Sequence, residues 1–284
     1  MPVYKNLIVP GSKQRPMGVD LFLPEGPGPF DCVVYLHGIN GFKDWGNFDL
    51  IAEEFEKQGF AFLKFNFSHN GTTPESPETF VDLEAFGHNN FSKELFDVQC
   101  ILGWMRDERN KFNSFINLQK ISIIGHSRGG GIALLSAAAD SEIHRLILWA
   151  SVSACQTPFG MYAPERLMKW KEDGVIHYHN QRTNQKMPLY YQLYEDYIQH
   201  QEEYHLDTAM KGLKIPVLIC HGTKDLAVPL EHAERLHSWK PDADYFIVES
   251  DHVFGRKHPW VDENLPHAMQ RVVDESIRFL KRNA

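Results

Sequence analysis

Short apolar runs rich in β-branched and aromatic residues alternate along most of the chain with segments that have helical spacing. The strand-like runs are VDLFLP, CVVYLH, FAFLKFNF, KISIIGH, HRLILWAS, IPVLICHG and DYFIVE. The helical segments span 48–57, 91–109, 129–139, 229–239 and 265–280. This alternation predicts an α/β fold in which a mostly parallel sheet of about eight strands is flanked by helices on both faces.

The alternation fails once, between residues 155 and 213. This stretch has little β-branched content and contains Tyr162, Trp170, Tyr178, Tyr190, Tyr191, Tyr194, Tyr197 and Tyr204. Because structureless loops of that length are uncommon, we expect a helical cap insertion at 155–213, in a core formed by 1–154 and 214–284. Its aromatic residues either line a binding cleft or pack the cap against the core.

Composition argues against several classes of protein. The chain has 284 residues, a net charge of -8 and no long run of lysine or arginine, so nucleic acid is not an expected partner. The N-terminal residues lack a basic region followed by a long apolar stretch, and no segment approaches the roughly 18 apolar residues that cross a bilayer. We therefore expect a cytoplasmic protein without a membrane partner, and the sequence leaves its oligomeric state open.

Four cysteines, Cys32, Cys100, Cys155 and Cys220, are scattered along the chain without a CxxC pair. Cys32 and Cys220 lie at the edges of strand-like apolar runs. Their spacing and surroundings favour free, buried thiols over a disulfide framework or a metal site.

The segment KISIIGHSRGGGIALLSAAAD contains the pattern G-x-S-x-G at residues 125–129. A strand-like run precedes the pattern and a helix-like run follows it, and this context is more specific than the pattern alone. Glycines two residues before and after the serine relieve a turn so tight that side chains there would clash. The segment therefore predicts that Ser127 is a nucleophile held on a sharp turn above the carboxyl edge of the sheet.

A serine hydroxyl is a poor nucleophile at neutral pH unless a positioned base removes its proton. Asp225 follows the strand-like run IPVLICHG, and His252 follows the last strand-like run. Both residues are thus expected where strand ends converge, which predicts a triad in the order Ser127, Asp225, His252. Taken singly, a turn-stabilising aspartate and a solvated loop histidine are the alternative interpretations.

Other acids and histidines are candidates for the same two roles. They are Asp140, Asp242, Asp244 and Asp251, together with His126, His177, His179, His200, His205, His258 and His267. Asp251 neighbours His252 but would point elsewhere along the chain. The others lack either a strand-end position or the expected chain order, so Asp225 and His252 are preferred.

The reaction of a serine nucleophile also needs N–H donors for the developing oxyanion. The backbone N–H of Arg128 directly follows the nucleophile at the start of a helix, and YLHGINGFKDW offers a glycine-rich loop after an early strand. We therefore predict that the N–H groups of Ile39 and Arg128 form the oxyanion hole. His37 is expected to brace this loop through hydrogen bonds, with a purely structural loop as the alternative.

The motifs HGING, GHSRGG, HGTKDLAVP and ESDHVFG together resemble the α/β-hydrolase superfamily. The resemblance is closest to the dienelactone-hydrolase and cinnamoyl or feruloyl-esterase-like branch, and it spans about 33–280 without the cap. It implies the α/β-hydrolase fold and a serine hydrolase of carboxylic esters that uses Ser127, His252 and Asp225. One segment departs from that branch, since Asn66, Ser68, His69 and Gly71 stand where Asp-x-Ser-Gly-x-Gly is common.

These residues predict an acyl-enzyme mechanism on a small-molecule ester, with no metal and no organic cofactor required. The same machinery would serve a thioester, an amide or a short peptide, and a catalytically silent binding protein is a further alternative. The Arg128 side chain either attracts an anionic group of the substrate or pairs with a surface carboxylate.

Overall fold

A computed structural model describes residues 2–282 of the chain. Within these residues an eight-stranded sheet has the order β1-β2-β4-β3-β5-β6-β9-β10. The strands are β1 Val3–Pro10, β2 Pro16–Phe22, β3 Phe30–Leu36, β4 Ala61–Phe65, β5 Ile116–His126, β6 Ile143–Trp149, β9 Val217–Gly222 and β10 Asp244–Val248. Strands β1 and β2 are antiparallel to their neighbours, and the other six run parallel. The expected α/β fold with a mostly parallel sheet of about eight strands is confirmed.

Helices cover both faces of this sheet because the strand residues alternate between two hydrophobic cores. Val34 of β3 packs in one core with α3 Phe91–Arg106, α4 Arg128–Ala139 and α8 Glu231–Trp239. Val33 packs in the other core with α1 Phe48–Lys57 and α9 His267–Lys281. A strand buried on both faces reads as a continuous apolar run, which is why these strands were predictable.

The parallel strands end together at one edge of the sheet, and this alignment positions the site. Leu36 of β3 pairs with Gly125 of β5, and His126 pairs with Trp149 of β6. Gly222 of β9 pairs in turn with Val248 of β10. The loops that follow these strands therefore converge at the carboxyl edge, where ligands bind in open α/β sheets.

The insert, by which we mean residues 155–213, is not purely helical. It contains α5 Pro164–Asp173, α6 Gln192–Gln199 and α7 Leu206–Gly212, as expected, but also a hairpin of β7 Val175–Asn180 and β8 Gln185–Tyr190. The expectation of an insertion without strands was therefore wrong. The hairpin residues VIHYHN and QKMPLY carry few β-branched side chains, so local propensity gave no strand signal.

Two further elements were not predicted, the edge strand β1 and the short helix α2 Leu83–Gly87. Strand β1 has the sequence VYKNLIVP and is mostly exposed, and its apolar residues do not follow the alternation that marks a half-buried strand. The four cysteines are free, and Cys32, Cys155 and Cys220 are buried, as expected. In the described part of the chain, no helix combines the length and apolar character needed to cross a membrane.

Candidate active site

Ser127 occupies the sharp turn between β5 and α4. Its backbone has φ 57° and ψ -123°, a sparsely populated conformation for a residue with a side chain, which costs about 1–3 kcal/mol. A Cβ at Gly125 would lie 2.3 Å from the carbonyl oxygen of Gly129, and one at Gly129 would lie 2.5 Å from that of His37. Only glycine fits at both positions, so the G-x-S-x-G spacing is a steric requirement of this turn.

The loop after β3 lies directly against the serine. Gly38 accepts a hydrogen bond from the N–H of Gly41 at 2.9 Å, which makes Ile39 and Asn40 the central residues of a tight turn. A Cβ at Gly38 would lie 3.0 Å from the Cβ of Ser127. The N–H of Arg128, as the first residue of α4, has no carbonyl one turn earlier in its own helix. Ile39 follows Gly38 in this turn and Arg128 follows Ser127, so the two residues predicted as donors flank the close approach of Gly38 to Ser127.

His37 braces this turn, as predicted. Its Nδ1–H donates to the carbonyl of Gly38 at 2.8 Å, and its Nε2 accepts from the N–H of Phe67 at 3.3 Å, an assignment that follows from the hydrogen-bond network. Burial lowers the pKa of His37 to about 4, although the bond to Gly38 opposes this shift. A histidine that is neutral and bonded at both nitrogens is suited to hold the loop and not to accept a proton from substrate.

Asp225 combines the two roles that were weighed for it. Its Oδ1 accepts hydrogen bonds from the N–H groups of Ala227 at 2.9 Å and Val228 at 2.8 Å, so it stabilises its own turn. Its Oδ2 accepts from Nδ1 of His252 at 2.7 Å. Burial alone would raise the pKa of Asp225, but hydrogen bonds from His221 and His252 hold it well below its usual range. Asp225 is therefore an ionised, buried acceptor.

Two other histidines surround this pair. His126 donates from Nε2 to the backbone carbonyl of His252 at 2.9 Å, and the two rings lie 4.7 Å apart. His221, which is fully buried, donates from Nε2 to the carbonyl of Val228 at 2.8 Å and lies 3.3 Å from Oδ2 of Asp225. These contacts fix the loops that carry Asp225 and His252. His221 was not singled out from the sequence. It is the penultimate residue of β9, and the apolar run around it indicates only a buried strand.

Ser127 and His252 line one cavity of about 570 Å³. Ile39 and Asn40 of the turn after β3 line the same cavity, whereas Asp225 is buried behind His252. The insert contributes a separate set of lining residues, namely Gln156, Thr157, Pro158, Gly160, Met161 and Arg182. A volume of this size suits a small-molecule ligand.

The large aromatic side chains of the insert pack with one another and do not line this cavity. Trp170 is fully buried and donates from Nε1 to the carbonyl of Leu189 at 2.7 Å. Its ring lies 5.6 Å from that of Tyr191, which in turn lies 5.6 Å from Tyr194. Of the two interpretations of these aromatics, packing is the one that the structure supports.

The Arg128 side chain makes a structural ion pair. Its Nε donates to Glu94 at 2.8 Å, its Nη1 donates to the carbonyl of Thr157 at 2.7 Å, and its guanidinium lies 3.9 Å from the ring centre of Phe91. Of the two alternatives for this side chain, pairing with a carboxylate is the one observed, but the pair is buried and not on the surface as expected. The side chain therefore ties α3, α4 and the insert together without lining the cavity.

The competing acids and histidines have other partners or positions. Asp140 pairs with Arg106 at 2.6 Å, Asp242 with Lys240 at 3.0 Å, and Asp244 with Arg282 at 2.8 Å. Asp251 accepts from backbone N–H groups of its own loop. His258 accepts from the N–H of Gly46 at 3.1 Å, His267 begins α9, and the four histidines of the insert do not line the cavity.

The unusual segment after β4 has a structural role. Asn66 accepts from the N–H of Lys43 at 2.7 Å and donates to the carbonyl of Pro77 at 3.0 Å. Ser68 and His69 are hydrogen-bonded to each other at 2.7 Å, and Ser68 also donates its N–H to Asp97 at 2.8 Å. Burial lowers the pKa of His69 to about 3, with Lys93 and Arg15 adding to the effect. These residues support the neighbouring loops and do not line the cavity.

One group of carboxylates within residues 2–282 converges closely enough for a metal ion, formed by Asp20, Asp44 and Asp49. Lysine ammonium groups already occupy its centre. Nζ of Lys43 lies 2.7 Å from Asp20 and 2.6 Å from Asp44, and Nζ of Lys64 lies 2.5 Å from Asp49. Two ammonium charges beside the carboxylates disfavour a further cation, so we assign this group to structure.

The parallel sheet, the serine turn and the strand-end acid and histidine together define an α/β-hydrolase. The chain belongs to the BD-FAE family, whose model matches residues 19–240. This membership confirms the resemblance to esterase-like hydrolases that the motifs carried, and it supports hydrolase activity.

Individual relatives are distant in sequence. A Mycoplasma pneumoniae protein provisionally named esterase/lipase 2 is 23% identical over 216 residues, which is 69% of this chain and 72% of that protein. Est1E from Butyrivibrio proteoclasticus with ferulic acid bound has a TM-score of 0.70 and 16% identity, and the match covers 97% of this chain and 98% of that one. An esterase domain from Rhodothermus marinus has a TM-score of 0.66 and 15% identity, with 99% of each chain covered.

Proposed function

We propose that the chain is a serine esterase that cleaves carboxylic esters through an acyl-enzyme on Ser127. The observation that carries this proposal is the 2.7 Å hydrogen bond from Nδ1 of His252 to the buried carboxylate of Asp225, beside a cavity that Ser127 and His252 share. The names of similar proteins support ester substrates, since they include an esterase/lipase and an esterase domain.

In the proposed reaction, Nε2 of His252 accepts the proton of Ser127 as Oγ attacks the ester carbonyl carbon. The carbonyl electron pair moves to oxygen, and the resulting tetrahedral intermediate collapses when the alcohol leaves with the proton from His252. Water then enters, gives a proton to His252 and attacks the acyl carbon. Collapse of the second intermediate returns the proton to Ser127 and releases the acid, so atoms and charge balance without a cofactor.

Asp225 and the backbone donors stabilise the charges of this sequence. A carboxylate that stays ionised fixes the Nδ1–H tautomer of His252 and stabilises the imidazolium that forms. The N–H groups of Ile39 and Arg128 are the proposed oxyanion donors, and the N-terminus of α4 adds a favourable dipole. Loss of one such donor costs about 3 kcal/mol of transition-state stabilisation.

We further propose that the insert acts as a cap on a core formed by 1–154 and 214–284. Its residues Gln156, Pro158 and Met161 face the same cavity as Ser127. Because they lie on a loop and a short 3-10 helix and not on the sheet, they can set acyl and alcohol preference without altering the strand-end residues.

Replacement of the nucleophile tests the proposal. We expect Ser127→Ala to lower kcat on short p-nitrophenyl esters by at least about 10⁴-fold and to abolish labelling by a fluorophosphonate probe. Ser136→Ala is the matched control, because it removes a buried serine hydroxyl within α4 that does not line the cavity. Circular dichroism and Tm should show both variants folded. Retained activity or labelling in folded Ser127→Ala would contradict the assignment.

A further inference from the structure

The charged side chains that line the catalytic cavity are all cationic. Arg182, Arg235 and Arg256 line it, and no Asp or Glu of residues 2–282 does so. The chain as a whole is acidic, with a net charge of -8. An excess of positive charge confined to this cavity is therefore not a reflection of overall composition, and it would attract an anionic ligand.

Two of these arginines converge on one tryptophan. The guanidinium carbon of Arg182, in the turn between β7 and β8, lies 5.0 Å from the ring centre of Trp45. The guanidinium carbon of Arg256, in the loop after His252, lies 5.3 Å from the same ring centre and 4.9 Å from that of Phe48. Trp45 itself lines the cavity. Cation–π contact holds both guanidiniums in place without neutralising them.

Neither of these two arginines has a carboxylate partner. In the part of the chain that the structure describes, no carboxylate oxygen lies within 4.0 Å of a nitrogen of Arg182 or Arg256. Asp251 influences both guanidiniums only at longer range, and its Oδ1 accepts from the N–H groups of Val253 and Gly255. The positive charges of Arg182 and Arg256 are therefore not neutralised by a carboxylate in direct contact.

Arg256 is the more unusual of the pair because only 4% of it is exposed. It lines the cavity, its Nε donates to the carbonyl of Val253 at 3.2 Å, and no carboxylate of the described residues pairs with it. Arg128, in contrast, is equally buried but pairs with Glu94 at 2.8 Å. A buried cation without an anion is costly, so the difference between the two arginines calls for a ligand at the unpaired one.

We propose that Trp45, Arg182 and Arg256 form an anion subsite that binds a free carboxylate on the ester substrate. The substrate class is thereby narrowed to esters that carry a second, unesterified carboxyl group, an inference that rests on the proposed esterase function. Guanidinium groups suit this role because their planar donors match the two oxygens of a carboxylate. The subsite combines a residue of the insert with residues of the core, so it spans both walls of the cavity.

A pair of substrates with one leaving group tests the subsite. Mono-p-nitrophenyl adipate carries a free carboxylate, and its terminal primary amide is a neutral analogue of nearly the same shape. We expect the wild-type chain to prefer the carboxylate substrate by about tenfold or more in kcat/KM, mainly through KM. Arg182→Gln should remove most of this preference, because kcat/KM should fall about tenfold more for the carboxylate substrate than for the amide substrate.

Two arginine variants serve as controls. Arg166→Gln removes an exposed arginine of the insert that stacks on Tyr162 at 3.8 Å and does not line the cavity, so the preference should persist. Arg235→Gln removes a cavity arginine on another element, α8, next to Ser153. If Arg235→Gln loses the preference for the carboxylate substrate and Arg182→Gln keeps it, the assignment of the anion subsite to Arg182 and Arg256 beside Trp45 is overturned.

The outcomes separate this inference from the proposed function. The anion subsite is overturned, and the esterase proposal stands, if the chain hydrolyses both substrates with the same kcat/KM. The ratio of the two kcat/KM values would then also be the same in Arg182→Gln and Arg166→Gln. Turnover of neither substrate contradicts the esterase proposal, and calorimetry with adipate then decides the subsite. Binding of adipate that weakens about tenfold in Arg182→Gln supports the subsite, and unchanged or absent binding overturns it.

Discussion

The strand-end loops of the core and the insert face the same cavity, but different kinds of bonds hold them. In the loops, backbone groups fix the key residues, as when Ala227 and Val228 donate to Asp225 and the N–H of Ser127 donates to the carbonyl of Trp149 at 3.0 Å. The insert is tied to the core by bonds in which at least one partner is a side chain, such as Tyr204 with Ser92 at 2.8 Å and Arg128 with the carbonyl of Thr157 at 2.7 Å. A bond that involves a side chain depends on the identity of that residue, whereas a bond between two backbone groups does not.

This difference separates two tasks within one site. Reacting groups must be held within a fraction of an ångström, which backbone-anchored loops on a rigid sheet provide. Substrate preference tolerates more variation and suits an element that can be repacked by changing a few side chains. We therefore expect substitutions of Ser127, Asp225 or His252 in the loops to lower kcat on every ester, and substitutions of cavity-lining residues of the insert to act on particular substrates.

Asp225→Asn changes a residue of the strand-end loops and has the largest expected effect. The amide presents a donor or a weaker acceptor to His252, so the Nδ1–H tautomer and the forming imidazolium lose their support. We expect kcat to fall about 10⁴-fold on both charged and neutral esters, with little change in KM. Steady-state kinetics on a panel of p-nitrophenyl esters measures this.

The matched control for that variant is Asp251→Asn, which changes the residue next to His252. Asp251 bonds only backbone N–H groups of its own loop at 3.2 and 2.8 Å. Its kcat should stay within about threefold of wild type, since a neutral oxygen can still accept both bonds. Equal losses in the two variants would refute the distinct role of Asp225.

His37→Gln tests how much the buried neutral histidine in the loop after β3 contributes to the pH dependence of stability. The pKa of His37 falls from 6.5 to about 4 on folding, chiefly because of burial. The unfolded chain therefore binds more protons between these pH values, and the free energy of unfolding decreases as pH falls from 6.5 to 4. We expect the free energy of unfolding to change between pH 6.5 and pH 4 by up to about 3 kcal/mol less in the variant than in the wild-type chain. Urea unfolding at several pH values measures this difference.

His177→Gln is the corresponding control in the insert, because it removes an exposed histidine of β7 without opening the core. His126 and His69 also have lowered pKa values from burial, so the slope in His37→Gln should decrease and not vanish. The role given to His37 fails if its variant flattens the pH dependence no more than the control does.

The strand-end loops were predictable from the sequence because local rules determine their structure. Buried parallel strands read as continuous apolar runs, and the glycines around Ser127 are demanded by contacts as short as 2.3 Å. Because the parallel strands end together, Ser127 and the loops of Asp225 and His252 lie at one edge of the sheet. Chain order and strand position were therefore enough to predict these three residues as a triad. The roles of these residues in catalysis stay predictions.

The insert was less predictable because its structure depends on contacts that are distant in sequence. Strand β7 begins with Val175 and Ile176, but its two histidines and the proline in β8 interrupt the strand pattern. The hairpin is completed by packing of β8 beside α2 and Trp170, which are distant in sequence from β7 or from one another. Whether an arginine is paired is equally a tertiary property. Nothing local distinguishes Arg128, which meets Glu94, from Arg256, which meets Trp45.

Tyr178→Phe tests the junction between the two regions and has the smallest expected effect. The hydroxyl of Tyr178 in the insert donates to Oδ1 of Asn40 at 2.5 Å, and burial raises its pKa so that it remains a donor. Asn40 follows Ile39, the proposed oxyanion donor, so loss of this bond should loosen the turn. We expect kcat/KM to fall about three- to tenfold, from a bond of about 0.5–1.5 kcal/mol, while Tm changes little. Tyr190→Phe is its control, since that hydroxyl bonds Glu84, away from the cavity, and equal losses in both variants would show that the junction at Asn40 has no special link to the reaction.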